Sequence, residues 1–128
     1  MVIREYEDRD LEEVNEILME AFNFSKVTNK KDDNIVELVA YTDRVVGYLY
    51  IVKVYDIVKD TYHYLIEDVC VSSKFRGMGI GKALMEEAIK RCDNYITLTS
   101  RPERVVAHKL YEKLGFVKSN TDVFKKVL

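Results

Sequence analysis

Proline occurs once in this chain of 128 residues, at Pro102, cysteine twice, at Cys70 and Cys92, and glycine five times. With no proline-rich linker, internal repeat or low-complexity segment to divide it, the chain reads as a single domain over residues 1–128, long enough to close one hydrophobic core. The two cysteines and two histidines are scattered without ligand spacing, so they assemble no zinc site, and the thiols read as reduced core residues. No apolar run approaches the length of a membrane span or has the layout of a signal peptide, and the expectation is a cytoplasmic protein with no membrane partner. Nor is there an excess of one charge. Twenty basic residues stand against 22 acidic ones, a net charge of −2, which argues against a general nucleic-acid partner.

Three of the five glycines fall together in Arg76-Gly77-Met78-Gly79-Ile80-Gly81. An apolar, β-branched run ending at Val71 precedes this segment, and an amphipathic stretch opening near Ile80 follows it. A strand, a glycine loop and a helix start form a phosphate cradle: glycine lets the backbone pass close to an anion, and the first helical amides point at it with the positive end of the dipole behind them. A P-loop would need Ser or Thr after Gly81-Lys82, where Ala83 stands, and its first glycine is replaced by Arg76. A dinucleotide fingerprint would need glycine at Lys82 and an acid on the next strand, but Tyr95-Ile96-Thr97-Leu98 has none. Both readings fail.

Periodicity supplies the frame. Residues 2–6 alternate as a strand, and Asp8 or Asp10 can cap a helix whose apolar positions run from Leu11 through Val14, Ile17, Leu18 and Ala21 to Phe22. Residues 23–34 have neither period and read as a loop or broken turn. Strand-like runs at about 35–42, 45–55 and 62–71 then make an antiparallel meander. Beyond the glycines, Ile80, Leu84, Met85, Ala88, Ile89 and Cys92 form one helical stripe, and residues 94–99 return as a strand, which requires a right-handed crossover and a parallel pair. Ser100 with Glu103 has the spacing of a capping box, with Pro102 in the first turn, for a helix that stops at Gly115. Residues 116–118 and 123–127 can pair through the turn at 119–122.

Arg76, Gly79 and Gly81 fit position for position the coenzyme loop Gln/Arg-x-x-Gly-x-Gly/Ala of the GCN5-related N-acetyltransferases (GNAT), which the chain resembles. Upstream, Ile66-Glu67-Asp68-Val69-Cys70-Val71 resembles that family's central strand. Downstream, the run from Ala107 through Tyr111 to Gly115-Phe116 resembles its late helix. The resemblance implies a mixed α/β (α+β) sheet: antiparallel N-terminal strands, then a β-α-β crossover with a splayed central strand pair. It also implies an acetyl-coenzyme A dependent enzyme, without a metal, that acetylates a primary amine by direct attack in a ternary complex. The pantetheine arm is then expected in the splayed gap, along the main chain of Val69, Cys70 and Val71. The pyrophosphate belongs on Arg76, Gly77, Met78, Gly79, Ile80, Gly81 and Lys82.

Placed on this frame, the amide of Val69 is a preorganised donor for the thioester oxygen. Tyr111, four residues before Gly115, is expected to donate to the departing thiolate, although its spacing with Leu110 and Leu114 also suits a core tyrosine. An alkylammonium must lose a proton before it attacks, and a strand period of two puts Glu67 on the face of Val69, so Glu67 is the expected base. Pairing of Glu67 with a basic side chain is the alternative, and Asp68 points the other way. Cys70 is placed opposite Val69, with no adjacent base to make it a nucleophile. Many relatives carry Asn where this chain has Arg104, whose surroundings are similar to the branch that acetylates small amines, including aminoalkylphosphonates. Ile66-Glu67-Asp68-Val69 is similar to glucosamine-6-phosphate acetyltransferases. Arg101, Arg104 and the cluster Lys26, Lys30, Lys31 then become candidates for an acceptor anion, with Arg104 alternatively on the coenzyme. His108 reads as a packing residue before a proton relay. Acceptor selection falls to the least patterned segments, residues 22–34 and 119–122. A non-catalytic acyl-coenzyme A binding module, a protein acetyltransferase and a homodimeric assembly stay open.

Overall fold

The computed structural model describes residues 1–128. The first alternating run forms β1 (Val2–Glu5), and a short 3₁₀ turn over Asp8–Asp10 leads into α1 (Leu11–Phe22). The buried Asp10 carboxylate accepts the Glu7 N–H at 2.8 Å and both Arg4 terminal nitrogens at 2.8 and 2.9 Å, so one acid ties the first strand to the start of the helix. Val14, Ile17 and Leu18 form the buried stripe of α1. Asn23 ends the helix in the left-handed conformation, its N–H bonded to the Met19 carbonyl.

The meander forms as β2 (Ile35–Tyr41), β3 (Val45–Asp56) and β4 (Thr61–Val71). It is followed by α2 (Ile80–Lys90), β5 (Ile96–Thr97) and α3 (Val105–Lys113). Strand order in the sheet is β1-β2-β3-β4-β5, antiparallel except for the last pair. Strand alternation divides the core between two faces. Leu38, Leu49, Ile51 and Ile66 pack on Ile80, Leu84, Met85 and Ala88 of α2, while Val39, Val45, Tyr48 and Cys70 pack on the α1 stripe. Helix α2 lies so close that a Cβ on Gly47 of β3 would stand 2.8 Å from Leu84 Cδ1.

The central pair is splayed. β5 pairs with β4 only at Tyr64↔Ile96 and Leu65↔Thr97, and β4 then runs on to Val71 with β3 on one side and no strand on the other. Three expectations are corrected. The returning strand is two residues long rather than spanning 94–99. Helix α3 starts at Val105, so no Ser100–Glu103 capping box forms, and Ser100 Oγ instead lies 3.1 Å from His108 Nε2. Residues 116–128 form no strand, and Val117, Val123, Phe124 and Val127 are exposed. A lone two-stranded hairpin is marginal in water, and β5 offers only a two-residue edge for it to join.

Candidate active site

Past the last β4–β5 pair, the free edge of β4 borders a gap that forms a cavity of about 890 Å³ with the glycine loop, α2 and α3. Val69, Cys70, Val71, Arg76, Gly77, Gly79, Ile80, Gly81, Lys82, Arg104 and Tyr111 all line it; Met78 does not and points to solvent, 67% exposed. Gly77 and Gly79 both take φ of +79°, and Gly79 holds the position before the first turn of α2. No side chain caps that helix start, which leaves its first amides free for an anion. The approach to the loop is braced from α1: Glu20 accepts the Ser73 N–H at 2.7 Å and the Ser73 hydroxyl at 2.6 Å, and Arg76 Nη2 lies 3.9 Å away. Sequence reasoning passed over Glu20, since no motif marks it.

The free edge of β4 carries two guanidinium groups. Arg104 Nη2 donates to the Val69 carbonyl at 3.3 Å, and Arg76 Nε donates to the Val71 carbonyl at 3.2 Å. Ser72 N–H bonds Val46 on the β3 side, so the main chains of Val69 and Val71 face the gap. These are the positions at which an extended, amide-containing ligand would pair with the strand. Arg104 also stacks over the Phe22 ring, 5.2 Å from its centre, and so joins the end of α1 to the gap.

Tyr111 is buried, with its ring edge-on to Phe116 at 6.1 Å. Burial raises its phenol above the ordinary value and the Arg104 guanidinium pulls it partly back, so the hydroxyl is a donor at neutral pH. Cys70 faces the α1 core with Sγ 3.8 Å from the Tyr48 carbonyl, and burial pushes its thiol up to about 12, which removes it as a nucleophile.

The face assigned to Glu67 is corrected. The ladder steps from Tyr50↔Glu67 to Tyr48↔Cys70, so Asp68 and Val69 together oppose Leu49 in a β-bulge, with Asp68 at φ +56°. Val69 stays with Ile66 on the α2 face, whereas Glu67 stands opposite Tyr50, which packs toward α1. The extra residue cancels the period of two. Asp68, expected to point away, lines a second cavity of about 290 Å³, bounded by Phe24, Ser25, Lys26, Thr28, Lys30, Lys31, Asp32 and Ile35 and by Leu18, Glu37, Tyr48 and Tyr50. Both acids are raised by burial, Glu67 further by its neighbour Asp68. The loop over this cavity is pinned by Asn15, which bonds both the N–H and the carbonyl of Lys26, and by the ion pair of Lys26 with Glu37 at 2.8 Å. Glu37 and Tyr48 escaped the sequence reading, although the alternation of Tyr48 and Tyr50 in β3 marks them as sharing one face. Arg101 lines neither cavity, and of the lysine cluster Lys26, Lys30 and Lys31 all line the smaller one.

The acetyltransferase (GNAT) family model matches residues 1–116. The L-amino acid N-acetyltransferase AaaT of Escherichia coli K12 is 32% identical, the match covering 91% of this chain and 82% of that protein. An uncharacterized N-acetyltransferase of Methanocaldococcus jannaschii is 30% identical over 91% of this chain and 78% of its own. In fold, a putative acetyltransferase from Agrobacterium tumefaciens C58 superposes with a TM-score of 0.85 at 19% identity, covering 99% of this chain and all of the other.

Proposed function

The chain belongs to the GNAT family of acetyl-coenzyme A dependent N-acetyltransferases, and from that premise we propose that its acceptor is a small primary amine carrying an anionic group, acetylated by direct transfer in the cytoplasm. The observation that carries the reading is the pair of cavities that meet at adjacent residues of β4, Asp68 lining the smaller and Val69 the larger. At about 290 Å³ the smaller one falls at the low end of the range for small-molecule sites and is bordered by a loop pinned at Lys26, a size that suits a compact molecule better than a peptide. Lysines line it, and Arg104 stands between the end of α1 and the gap. The relative named as an L-amino acid N-acetyltransferase supports an acceptor of this size and charge. Two free thiols, Cys70 and Cys92, agree with a reducing compartment.

In this reading acetyl-coenzyme A supplies the activated acyl group. The amides of residues 77–82 hold its pyrophosphate, and the gap-facing main chains of Val69 and Val71, on either side of Cys70, receive the pantetheine arm as Arg76 and Arg104 give up their carbonyl contacts. The Val69 N–H, fixed in the strand, donates to oxygen where negative charge develops. Tyr111 donates to the departing sulfur. An acid of the Glu67–Asp68 pair takes the proton from the acceptor nitrogen, directly or through water.

The test is kcat/KM, by thiol release, for a panel of α-amino acids, an aminoalkylphosphonate and an amino sugar phosphate against a polyamine and a lysine peptide. Preference for the anionic amines is expected. Preference for the polyamine or the peptide overturns the acceptor class and leaves the acetyltransferase activity standing.

A further inference from the structure

Most charged groups around the smaller cavity already have partners. Glu37 accepts Lys26 Nζ at 2.8 Å and the Tyr48 hydroxyl at 2.7 Å. Asp32 accepts the Asn34 N–H at 2.8 Å, and Lys31 lies 3.4 Å from Asp8. Two groups of opposite sign remain without a hydrogen bond or ion pair from their side chains: Asp68 on the strand side and the exposed Lys30 in the covering loop. Asp68 is only half-exposed, and a carboxylate taken partly out of water with no cation beside it is a costly arrangement for a fold to keep. Its backbone is costly too, since a residue other than glycine at φ +56° occupies a sparsely populated region. That conformation aims the carboxylate into the smaller cavity while the next residue, Val69, returns to the coenzyme gap.

Resting on the acceptor class proposed above, we infer that Asp68, not Glu67, binds the ammonium group of the acceptor and takes its proton, and that Lys30 receives the anion at the other end of a small zwitterion. A proton passes from the ammonium nitrogen to an Asp68 oxygen. The freed lone pair forms the carbon–nitrogen bond to the acetyl carbon, and the carbon–sulfur bond breaks with its electron pair on sulfur. The second nitrogen proton passes to that thiolate by way of Tyr111, and Asp68 returns its own proton to solvent. Glu67, opposite Tyr50, lines neither cavity and is left out of the transfer. Burial raises the Asp68 carboxyl above the ordinary aspartate range, toward the affinity a proton acceptor needs.

The experiment compares Asp68→Asn, Glu67→Gln and Lys30→Gln with the parent, using acetyl-coenzyme A and the panel above, with coenzyme affinity by calorimetry as the check of folding. Asp68→Asn is expected to lower kcat/KM for the best zwitterionic amine about 100-fold with coenzyme affinity kept, Glu67→Gln only a few-fold, and Lys30→Gln to raise KM while leaving kcat near the parent. The pH profile separates proton acceptance from mere positioning. Without an acceptor the reaction depends on free amine, so kcat/KM of Asp68→Asn should climb about tenfold per pH unit up to the amine's own pKa of about 10, where the parent is flat. The other groups facing Asp68 are Glu67 and Cys70 on its own strand, Tyr48 and Tyr50 on β3, Glu37 on β2, and Lys26, Lys30, Lys31 and Asp32 of the covering loop. All of them are retained in Asp68→Asn, and loss of the Asp68 charge lowers Glu67, Tyr48, Tyr50 and Cys70 from their raised positions. Parent-like rate and profile in Asp68→Asn, or a loss that follows Glu67→Gln instead, overturns the assignment while the anionic acceptor stands. A parent enzyme that prefers polyamine or peptide overturns both.

Discussion

Burial and the Arg104 guanidinium act on the Tyr111 phenol in opposite directions, and burial prevails. The hydroxyl therefore stays protonated through neutral pH, in a cavity shared with the main chain of Val69. Tyr111→Phe removes the oxygen and keeps the ring on Phe116, so it should lower kcat about 100-fold with coenzyme affinity nearly unchanged. Pre-steady-state thiol release together with calorimetry checks this, and an undiminished kcat would leave Tyr111 as a packing residue only. The same scale shows where reading by letters ends. The place of Tyr111 in the cavity is legible because it stands at a fixed distance from Gly115. The orientation of Glu67 is not, because Ile66-Glu67-Asp68-Val69 contains no mark of the bulge that turns it. Aspartate's tolerance of positive φ is the one local hint, and it is too common in ordinary turns to point to a bulge.

Among the elements, the loop before α2 is the one whose conformation depends most on residue type. Gly77 and Gly79 are both at φ +79°, and a Cβ on either meets nothing within 4 Å, so the space beside them is open to solvent or ligand. A branched side chain at Gly79 would strain the backbone by about 1–2 kcal/mol and project into the space an anion needs. Gly79→Val should therefore weaken coenzyme binding at least about tenfold while the circular dichroism of the fold persists. A folded variant with parent affinity would move the pyrophosphate elsewhere. Helix α2 and this loop were legible because an apolar stripe at helical spacing and a glycine cluster are strong local signals. The start of α3 was not. Ser100, Pro102 and Glu103 have the right spacing, but Ser100 lies beside the His108 ring instead, and helical hydrogen bonding begins only at Arg104, whose carbonyl accepts the His108 N–H. The short β5 and the unpaired tail were equally hidden, since strand pairing depends on the neighbouring edge and not on the strand's own residues.

For the molecule as a whole, carboxylates shifted in opposite senses connect stability to function. Asp10 is nearly inaccessible, and burial by itself would raise it, but the Arg4 hydrogen bonds and the Glu7 N–H outweigh that and hold it below the usual carboxylate range. A lowered carboxyl contributes stability that is complete above its unfolded value of about 4 and is lost as pH falls through the folded one. Arg4→Met should cost about 3 kcal/mol at neutral pH, since it strands a buried charge where β1 meets α1, and part of that loss should be recovered in acid as Asp10 takes a proton. Asp68 carries the reverse sign. Its folded value is raised by burial, so its ionised form subtracts stability once pH climbs above the unfolded value of about 4, and the cost is present in full above the folded one. Asp68→Asn should therefore melt at a higher temperature than the parent at neutral pH, and the gain should vanish on acidification below about pH 4. Thermal melts of parent, Arg4→Met and Asp68→Asn from neutral to acid pH measure both signs in one series. A variant that is more stable and yet nearly inactive is the pattern of a charge retained for chemistry at the expense of the fold. A less stable Asp68→Asn would instead make the carboxylate a support of the bulge, and the rate and pH profile of that variant alone would then decide its part in proton transfer.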